Sequence, residues 1–489
     1  MTTGNKRVQE RKDATRVQLP SAAMIPERLE PFIGETRELA ERFIAAKKNL
    51  YLVGGSVRDV IAGRPGGGAA FVREADIDFT TDARPEEIEA IIKGWAQSVW
   101  LQGKRFGTIG ASHNGRRFEI TTHRAEAYLP ESRKPDVSFG DDVVTDLSRR
   151  DFTVNAMALR LPDLELIDPF DGLSDLSNHR LRTPLDPVSS FSDDPLRMLR
   201  AARFIAGYEL VPSEDLLCAV RELRARLSIV SPERVRDELD RLLVLPDPQE
   251  GLWFIVRTGL SEEFLPELPA LELEQDPVQR HKDVLAHTIA VVARTRPERI
   301  LRLAALFHDV GKPRTRSIGP DGVSFHHHDV VGARMTKLRM QALHYSNVDI
   351  DAVCRLVELH LRFHTYVLGW TDAAIRRYTR DAGALLDQLN ELTRADCTTR
   401  NEGKARALAS RMDELEARIQ ELREKEALES IRPELNGEQV MARLSIPPGK
   451  DVGRALEFLM EIRLEEGLLG TDEIGHRLDD WWDSQKKSP

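Results

Sequence analysis

Cysteine is scarce in this chain of 489 residues, and its three cysteines, Cys218, Cys354 and Cys397, form no Cys-x-x-Cys pair. This argues against a disulfide framework and against a zinc site built on cysteine pairs. Long apolar stretches are also missing, since no run reaches 18 residues and no secretory signal pattern is present. We therefore expect a cytoplasmic protein with no membrane partner.

An excess of positive charge is missing too. The chain has 70 Lys and Arg against 80 Asp and Glu, which gives a net charge of −10. Nucleic-acid-binding domains are often basic, so the total charge is a mild argument against RNA as a partner. A local basic cleft on an acidic protein is still compatible with RNA, because attraction depends on how the charge is distributed. The length predicts several domains.

A glycine pair between a short apolar run and a helical pattern is the first feature with chemical meaning. Leu50–Val53 predicts a buried strand, and Gly54 and Gly55 end it before a helix begins. Backbone N–H groups at a helix start favour anions, and glycine lets a ligand approach the backbone. Arg58, in the first turn, offers two donors to a phosphate oxygen.

Two aspartates follow on a predicted strand. Asp76 and Asp78 are two residues apart, so both carboxylates project from one face. Such a pair suits Mg²⁺ bound together with substrate phosphates, and two metals would assist an in-line displacement. Glu119 is a candidate third acid or an ordinary solvated residue. The glycine pair alone is better explained as a simple turn, and the two aspartates alone as solvated residues, but the combination of the two motifs favours nucleotidyl transfer.

Arginines recur at helical spacing further along the chain. Arg197, Arg200 and Arg203 lie three apart and form one stripe of a predicted helix. Like charges repel, so we expect an anionic partner for this stripe, with a solvated basic face as the alternative. Asp194 shares a helix face with Arg197, at the helix start.

Histidine and aspartate residues form a second constellation. It includes His308-Asp309 after an apolar helix, and the other members are His287, His328, His360 and Asp396. Imidazoles and carboxylates that converge from separate helices are typical of a transition-metal site, although each histidine alone is better explained as a surface or core residue.

These motifs together resemble a known family. Gly54 to Asp59 followed by Asp76-x-Asp78 is similar to the head of the tRNA CCA-adding enzymes and bacterial poly(A) polymerases, and His308-Asp309 resembles the HD metal-dependent phosphohydrolase domain. Two positions depart from the family pattern. The loop 63–74 between the head motifs is longer than usual, and Asp193 replaces a more usual glutamate.

The resemblance implies a role for each motif residue. Asp76 and Asp78 would be catalytic and bind Mg²⁺, and Gly55, Arg58 and Arg150 would hold the triphosphate. Asp194 and Arg197 would read the base, with Arg200 and Arg203 also binding nucleotide. His287, His308, Asp309 and Asp396 would hold Ni²⁺, Co²⁺ or Mn²⁺, with His328 and His360 completing a second site. The implied reaction adds C, C and A from CTP and ATP to the 3′ end of tRNA, with release of pyrophosphate.

The predicted fold is an α/β nucleotidyltransferase head, with a small mixed sheet plus helices, followed by an all-α neck, an HD-type body and a helical tail. The boundaries are 1–28 for a disordered N-terminal tail, 29–165 for the head, 166–268 for the neck, 269–400 for the HD domain and 401–489 for a tail that would contact tRNA.

Two other functions stay open. A bacterial poly(A) polymerase would have the same head, although the acidic charge and the lack of a long basic tail favour a tRNA enzyme. The second is an HD phosphohydrolase with a nucleotide-sensing head. The presence of Asp76, Asp78 and Arg150 argues against it. No obligate protein partner is evident.

Overall fold

The computed structural model describes residues 25–62, 77–124, 139–140, 142–273, 283–319, 322–365, 370–397, 402–426 and 431–487. It divides into two compact units, one containing residues up to 242 together with 250–264, and the other containing 243–249 and 265–489. Of the tail predicted at 1–28, residues 1–24 lie outside the described residues, and helix α1 (Ile25–Ala45) includes the remainder. None of the described helices is long and apolar enough to span a membrane.

A seven-stranded mixed sheet forms the centre of the first unit, which confirms the predicted head fold. In sequence order its strands are β1 (Leu50–Val53), β2 (Ile77–Thr81), β3 (Ser98–Trp100), β4 (Thr108–His113), β5 (Arg116–Thr122), β6 (Ala158–Leu161) and β7 (Glu165–Ile167). Their order across the sheet is β3-β4-β5-β2-β1-β6-β7. The β2–β5 pair is parallel, and the other pairs are antiparallel.

Local sequence explains how these strands form. β4 and β5 make a hairpin through Asn114 and Gly115, which both have positive φ angles, as this tight turn requires. Along β5, buried residues alternate with more exposed ones. Buried Phe118 packs against Trp95, which follows helix α3 (Pro85–Ile92). One face of the sheet is therefore covered, and the alternate side chains of β5, Arg117 and Glu119, are exposed.

Helices make up most of the rest of this unit. They are α2 (Gly55–Ala62), α4 (Val143–Ser148), α5 (Gly172–Ser177), α6 (Pro187–Asp193), α7 (Leu196–Tyr208), α8 (Glu214–Leu223), α9 (Pro232–Leu243) and α10 (Gln249–Arg257), with the short strands β8 (Arg180–Leu181) and β9 (Val211–Pro212) paired in parallel. Asp186 caps α6, because its side chain accepts a hydrogen bond from the backbone N–H of Ser189.

The second unit is almost entirely helical. Its helices are α11 (Val284–Arg294), α12 (Arg299–Phe307), α13 (Lys312–Thr315), α14 (His328–Ala342), α15 (Asn347–Leu359), α16 (Asp372–Ala382), α17 (Leu386–Asp396), α18 (Glu402–Glu426), α19 (Gly437–Leu444), α20 (Lys450–Glu466) and α21 (Thr471–Lys487), with a hairpin of β10 (Arg316–Gly319) and β11 (Gly322–Phe325). On α18 the apolar positions Met412, Leu415, Ile419 and Leu422 are buried. This helix packs against α16 and α17 of the same chain.

Candidate active site and metal centre

The turn after β1 is where the head residues converge. Gly54 has a φ of +72°, and Gly55 begins α2. A Cβ atom added to Gly54 would lie 3.2 Å from Arg150 Nη1 and 3.6 Å from Asp78 Oδ2. The guanidinium and the carboxylate therefore both face the backbone of this turn, and a side chain here would crowd them. This is the arrangement that a phosphate-binding loop beside a metal-binding carboxylate requires.

The carboxylates lie on adjacent parallel strands. Asp78 on β2 is half-buried and is in register with Glu119 on β5, which is exposed. Residues in register on neighbouring strands project from the same face, so the two acids lie side by side. Asp76 lies outside the described residues, and its place beside Asp78 stays a prediction from the alternation of strand side chains.

Arg150 follows the C-terminal end of α4. Its Nη2 is 3.5 Å from Asp146 Oδ2 on the preceding turn, and its buried Nε has no hydrogen-bond partner within the described part of the chain. Arg150 Nη1 faces the Gly54 turn, and a guanidinium N–H in this position can donate to an anionic ligand. The geometry is consistent with the triphosphate contact that the resemblance implies for Arg150.

Arg58 lies deeper than the sequence suggested. It is buried, its Nε and Nη2 donate to the two carboxylate oxygens of Asp59 at 2.9 and 3.0 Å, and its Nη1 donates to Asn155. The guanidinium carbon is 4.2 Å from the centre of the Tyr208 ring. In this structure the residue joins α2 to its neighbours beneath the glycine turn, and its contact with phosphate stays a prediction.

The arginine stripe on α7 finds its anionic partners within the protein. Arg200 donates to Asp151 Oδ2 from Nε at 2.9 Å, and Arg203 Nε donates to Glu238 at 2.9 Å. Burial opposes ionisation of Asp151, but Arg200 and the amide of Asn155 lower the pKa of this carboxyl to about 2. The repulsion expected along the stripe is thus relieved by two buried carboxylates, and nucleotide binding by Arg200 and Arg203 stays a prediction.

The two residues predicted to read the base lie at the start of α7. Asp194 accepts a hydrogen bond from the backbone N–H of Leu196 at 3.2 Å, and its other oxygen is 3.2 Å from Arg234 Nη2. Arg197 donates to Ser190 Oγ at 2.7 Å and to the backbone oxygen of Arg149. Both side chains are held in place by neighbouring polar groups, which favours recognition by preset geometry.

The second unit brings the predicted metal ligands together in two groups. His287, His308 and Asp396 form the first, and Asp309, His328 and His360 form the second, with ligand atoms in each group within 4.8 Å of one another. The groups adjoin, because His308 Nε2 is 3.2 Å from Asp309 Oδ2. The structure therefore places all four expected ligands, and the two proposed for a second metal, in one cluster.

Backbone contacts aim the imidazoles at this cluster. The Nδ1 atoms of His308, His328 and His360 lie 2.8, 2.7 and 2.6 Å from the backbone oxygens three residues before them, so each donates an N–H from Nδ1, and Nε2 is the ring nitrogen that can bind a metal once it carries no proton. The Nε2 atoms of His328 and His360 are buried without a hydrogen-bond partner among the described residues. Orphaned nitrogens of this kind, oriented by a backbone carbonyl, fit a divalent metal.

The charges at the cluster support the same conclusion. Burial would lower the pKa of His308, but the carboxylates of Asp309 and Asp396 raise it to about 10. Burial opposes ionisation of Asp309 as well, yet His308 and Lys312 hold its pKa well below the usual value. Burial, together with the charge of His308, lowers the pKa of His360 to about 4. Two ionised carboxylates in a buried site need positive charge, which a metal or a protonated histidine supplies.

Some residues of these sites were not identified from the sequence. Asn155 accepts a hydrogen bond from Arg58, 97 residues before it, and Glu238 pairs with Arg203, 35 residues before it, at separations that no local pattern reveals. Lys312 is different, because its Nζ is 2.7 Å from Asp309 Oδ2 at an i, i+3 spacing visible in the sequence.

Comparisons with known proteins agree with these two sites. Three family models match: the poly A polymerase head domain at residues 50–182, a probable RNA- and SrmB-binding site of polymerase A at 212–271, and the HD domain at 284–422. The A-adding tRNA nucleotidyltransferase of Deinococcus radiodurans is 33% identical over 84% of this chain and 91% of its own length. The CCA-adding enzyme of Lactobacillus gasseri is 37% identical over 46% of this chain and 53% of its own, so the match spans about half of that relative.

Solved structures share the fold. The CCA-adding enzyme of Bacillus stearothermophilus, in complex with CTP, superposes with a TM-score of 0.65 at 21% identity, covering 94% of this chain and 99% of the other. The Thermotoga maritima CCA-adding enzyme, in complex with tRNA, superposes with a TM-score of 0.56 at 19% identity, covering 94% and 98%.

Proposed function

We propose that this chain, which belongs to the tRNA nucleotidyltransferase family that has a poly A polymerase head, adds C, C and A to the 3′ end of tRNA from CTP and ATP. The convergence of Asp78 and Arg150 on the Gly54 turn carries this proposal. The cytoplasmic location expected from the sequence belongs to the same proposal.

In the proposed reaction the 3′-oxygen of the RNA attacks the α-phosphorus of the nucleotide. The bond from this phosphorus to the bridging oxygen breaks, and pyrophosphate leaves. Arg150 and the N–H groups of the glycine turn hold the triphosphate. Mg²⁺, when bound by Asp76 and Asp78, would neutralise phosphate charge and favour ionisation of the attacking hydroxyl.

Selection of the base is assigned to Asp194 and Arg197. Cytosine and adenine both present an amino donor next to a ring-nitrogen acceptor. A carboxylate can accept from the amino group, and a guanidinium can donate to the ring nitrogen. Uracil and guanine would place a carbonyl oxygen opposite the carboxylate, and a site that requires a hydrogen bond rejects such analogues strongly, on the order of 10⁴-fold.

A tRNA series tests the proposal. Transcripts that end before the CCA sequence, after one C or after both C residues are incubated with CTP, ATP or both, and their 3′ ends are sequenced. We expect C, C and A to be added to the first transcript. Addition of A alone, and only to the transcript that ends in CC, would identify an A-adding enzyme, a candidate supported by the Deinococcus relative aligned over most of its length. Long A tracts would identify a poly(A) polymerase.

For the histidine–aspartate cluster we infer Ni²⁺, Co²⁺ or Mn²⁺ as the bound ion and hydrolysis of small 2′- or 3′-phosphates as the reaction. The buried Nε2 atoms of His328, which lies 3.5 Å from Asp309 Oδ1, and of His360, which has no hydrogen-bond partner among the described residues, support a transition ion, since imidazole nitrogen suits such metals better than Mg²⁺. Metal analysis of the purified protein, followed by phosphodiesterase and phosphatase assays with each ion, tests this inference.

A further inference from the structure

Trp100 lies in the same cross-strand row as the candidate catalytic carboxylates. On β3 it is in register with Gly110 of β4, which is in register with Glu119 of β5, and Glu119 is in register with Asp78 of β2. Partners in register project from the same face of a sheet. The indole therefore belongs to the face that presents Asp78, at the end of the row away from β1.

Gly110 makes room for this indole. A Cβ atom added to Gly110 would lie 1.9 Å from Trp100 Nε1 and 2.4 Å from both ring neighbours of that nitrogen, Cδ1 and Cε2. If this Cβ atom lay in the ring plane along the N–H bond, it would be much further from Cδ1 and Cε2 than from Nε1. The glycine thus faces the plane of the ring. One face of the indole rests on the β4 backbone, and the opposite face of this half-buried side chain points away from the sheet.

The position of the row suggests what that face receives. The Gly54 turn and Arg150, which are proposed to hold the triphosphate, lie against Asp78 at the β1 side. In an in-line displacement the attacking and leaving groups are on opposite sides of the phosphorus. If pyrophosphate leaves toward β1, the attacking 3′-oxygen approaches from the β5 and β4 side, which is where Trp100 lies.

The distance suits the end of an RNA strand. Two strand spacings separate Asp78 from the backbone beneath the indole, about 10 Å in total. At about 3.4 Å per stacked nucleotide, this falls within the last few nucleotides of the acceptor. Arg117, two residues before Glu119 on β5, is exposed on the same face and adds positive charge for the RNA backbone.

We propose that Trp100 is a stacking platform for a base near the 3′ end of the RNA acceptor, held flat against the sheet by Gly110. This rests on the proposed nucleotidyl transfer and adds a binding site for the RNA. An aromatic ring stacks on any base, so the platform would position the growing end through successive additions without selecting its sequence.

The test measures coupling between the indole and individual bases. The probes are a tRNA transcript lacking CCA and the same tRNA with an abasic ribose at its last, second-last or third-last nucleotide. Equilibrium binding is measured without nucleotide, and addition is measured separately, for wild type, Trp100→Leu and Trp100→Phe. Val99→Ala, on the opposite face of the same strand, is the matched control.

We expect Trp100→Leu to weaken binding of the intact tRNA by at least fivefold, since a base–aromatic stack contributes about 5- to 150-fold in affinity. Removing the base at one of the three positions should weaken tRNA binding by the wild type by the same factor. The same removal should cause no further loss of binding by Trp100→Leu. Trp100→Phe should retain most of the affinity, while the KM for CTP and ATP and the choice of nucleotide stay the same. Gly110→Ala, which keeps the indole but displaces it, should lose the same coupling.

Three results would overturn the proposal. The first is that the losses of tRNA affinity caused by Trp100→Leu and by base removal multiply at every position. The others are a Trp100→Phe variant that binds tRNA as weakly as Trp100→Leu, or a change in the KM of the nucleotide in place of the affinity for tRNA. Because the coupling is measured as tRNA binding, it tests the stacking platform even if the wild type adds no nucleotide. Failure of the wild type to add a nucleotide would refute the proposed reaction separately.

Discussion

Replacing Asp151 by asparagine should destabilise the first unit by an amount that depends on pH. The carboxyl is buried and receives hydrogen bonds from Arg200 and Asn155, and the pKa falls from 3.8 to about 2. The difference is close to two pKa units, and at 1.36 kcal/mol for each factor of ten it corresponds to about 2 kcal/mol of folding free energy at neutral pH. The Asp151→Asn variant would keep the shape of the side chain and lose this contribution.

The sign follows from linkage. A carboxyl with a lower pKa in the folded state stabilises the protein above its unfolded pKa, and the stabilisation is lost as the pH falls through the folded value. For Asp151 the loss occurs between about pH 4 and pH 2. At pH 3 the wild type should retain only about half of this advantage over the variant, about 1 kcal/mol.

Urea unfolding of both proteins at pH 7, 5 and 3 measures the difference. Asp163→Asn is a matched control, because Asp163 is exposed and lies 3.7 Å from Arg160, and exposed pairs of this kind contribute about 0–1 kcal/mol. A difference below about 0.5 kcal/mol at pH 7, or one equally large at pH 3, would show that the Asp151–Arg200 pair does not stabilise the fold as reasoned.

Three further predictions concern the reactions. Asp78→Asn should abolish nucleotide addition. The affinity for tRNA, measured by gel shift, should stay within about twofold, because RNA affinity comes chiefly from basic contacts. Substantial addition with Mg²⁺ would contradict a metal-binding role for Asp78. Asp194→Ala and Arg197→Ala should reduce discrimination against UTP and GTP more than they weaken tRNA binding, measured as kcat/KM ratios, and unchanged ratios would assign the pair to folding. Asp309→Ala should remove the bound transition metal and any phosphohydrolase activity while leaving nucleotide addition intact, as metal analysis and both assays would show; loss of addition as well would indicate a structural role for the cluster.

Local spacing was sufficient for several features of this protein. The strand that ends at Gly54 and the helix that follows were predicted from the sequence and are present in the structure. Strand alternation and helix periodicity depend on backbone geometry within a few residues, so a single sequence records them directly.

Long-range pairing was decided only by the tertiary structure. The stripe on α7 predicted an anionic partner but could not identify Asp151, 49 residues before Arg200, or Glu238, 35 residues after Arg203. Arg58 was expected to donate to a phosphate oxygen, and its burial against Asn155, 97 residues further along the chain, could not be inferred from local spacing.

The same limit applies to both sites. The sequence identified six metal-ligand candidates, while the packing of separate helices sorted them into two adjoining groups. Trp100 gave no signal at all, because its place in the row with Asp78 depends on the register of three successive strand pairs. Sequence patterns report the direction in which a side chain leaves its own strand or helix. Which side chains then meet is determined by chain segments that are distant in sequence and pack together only in the folded protein.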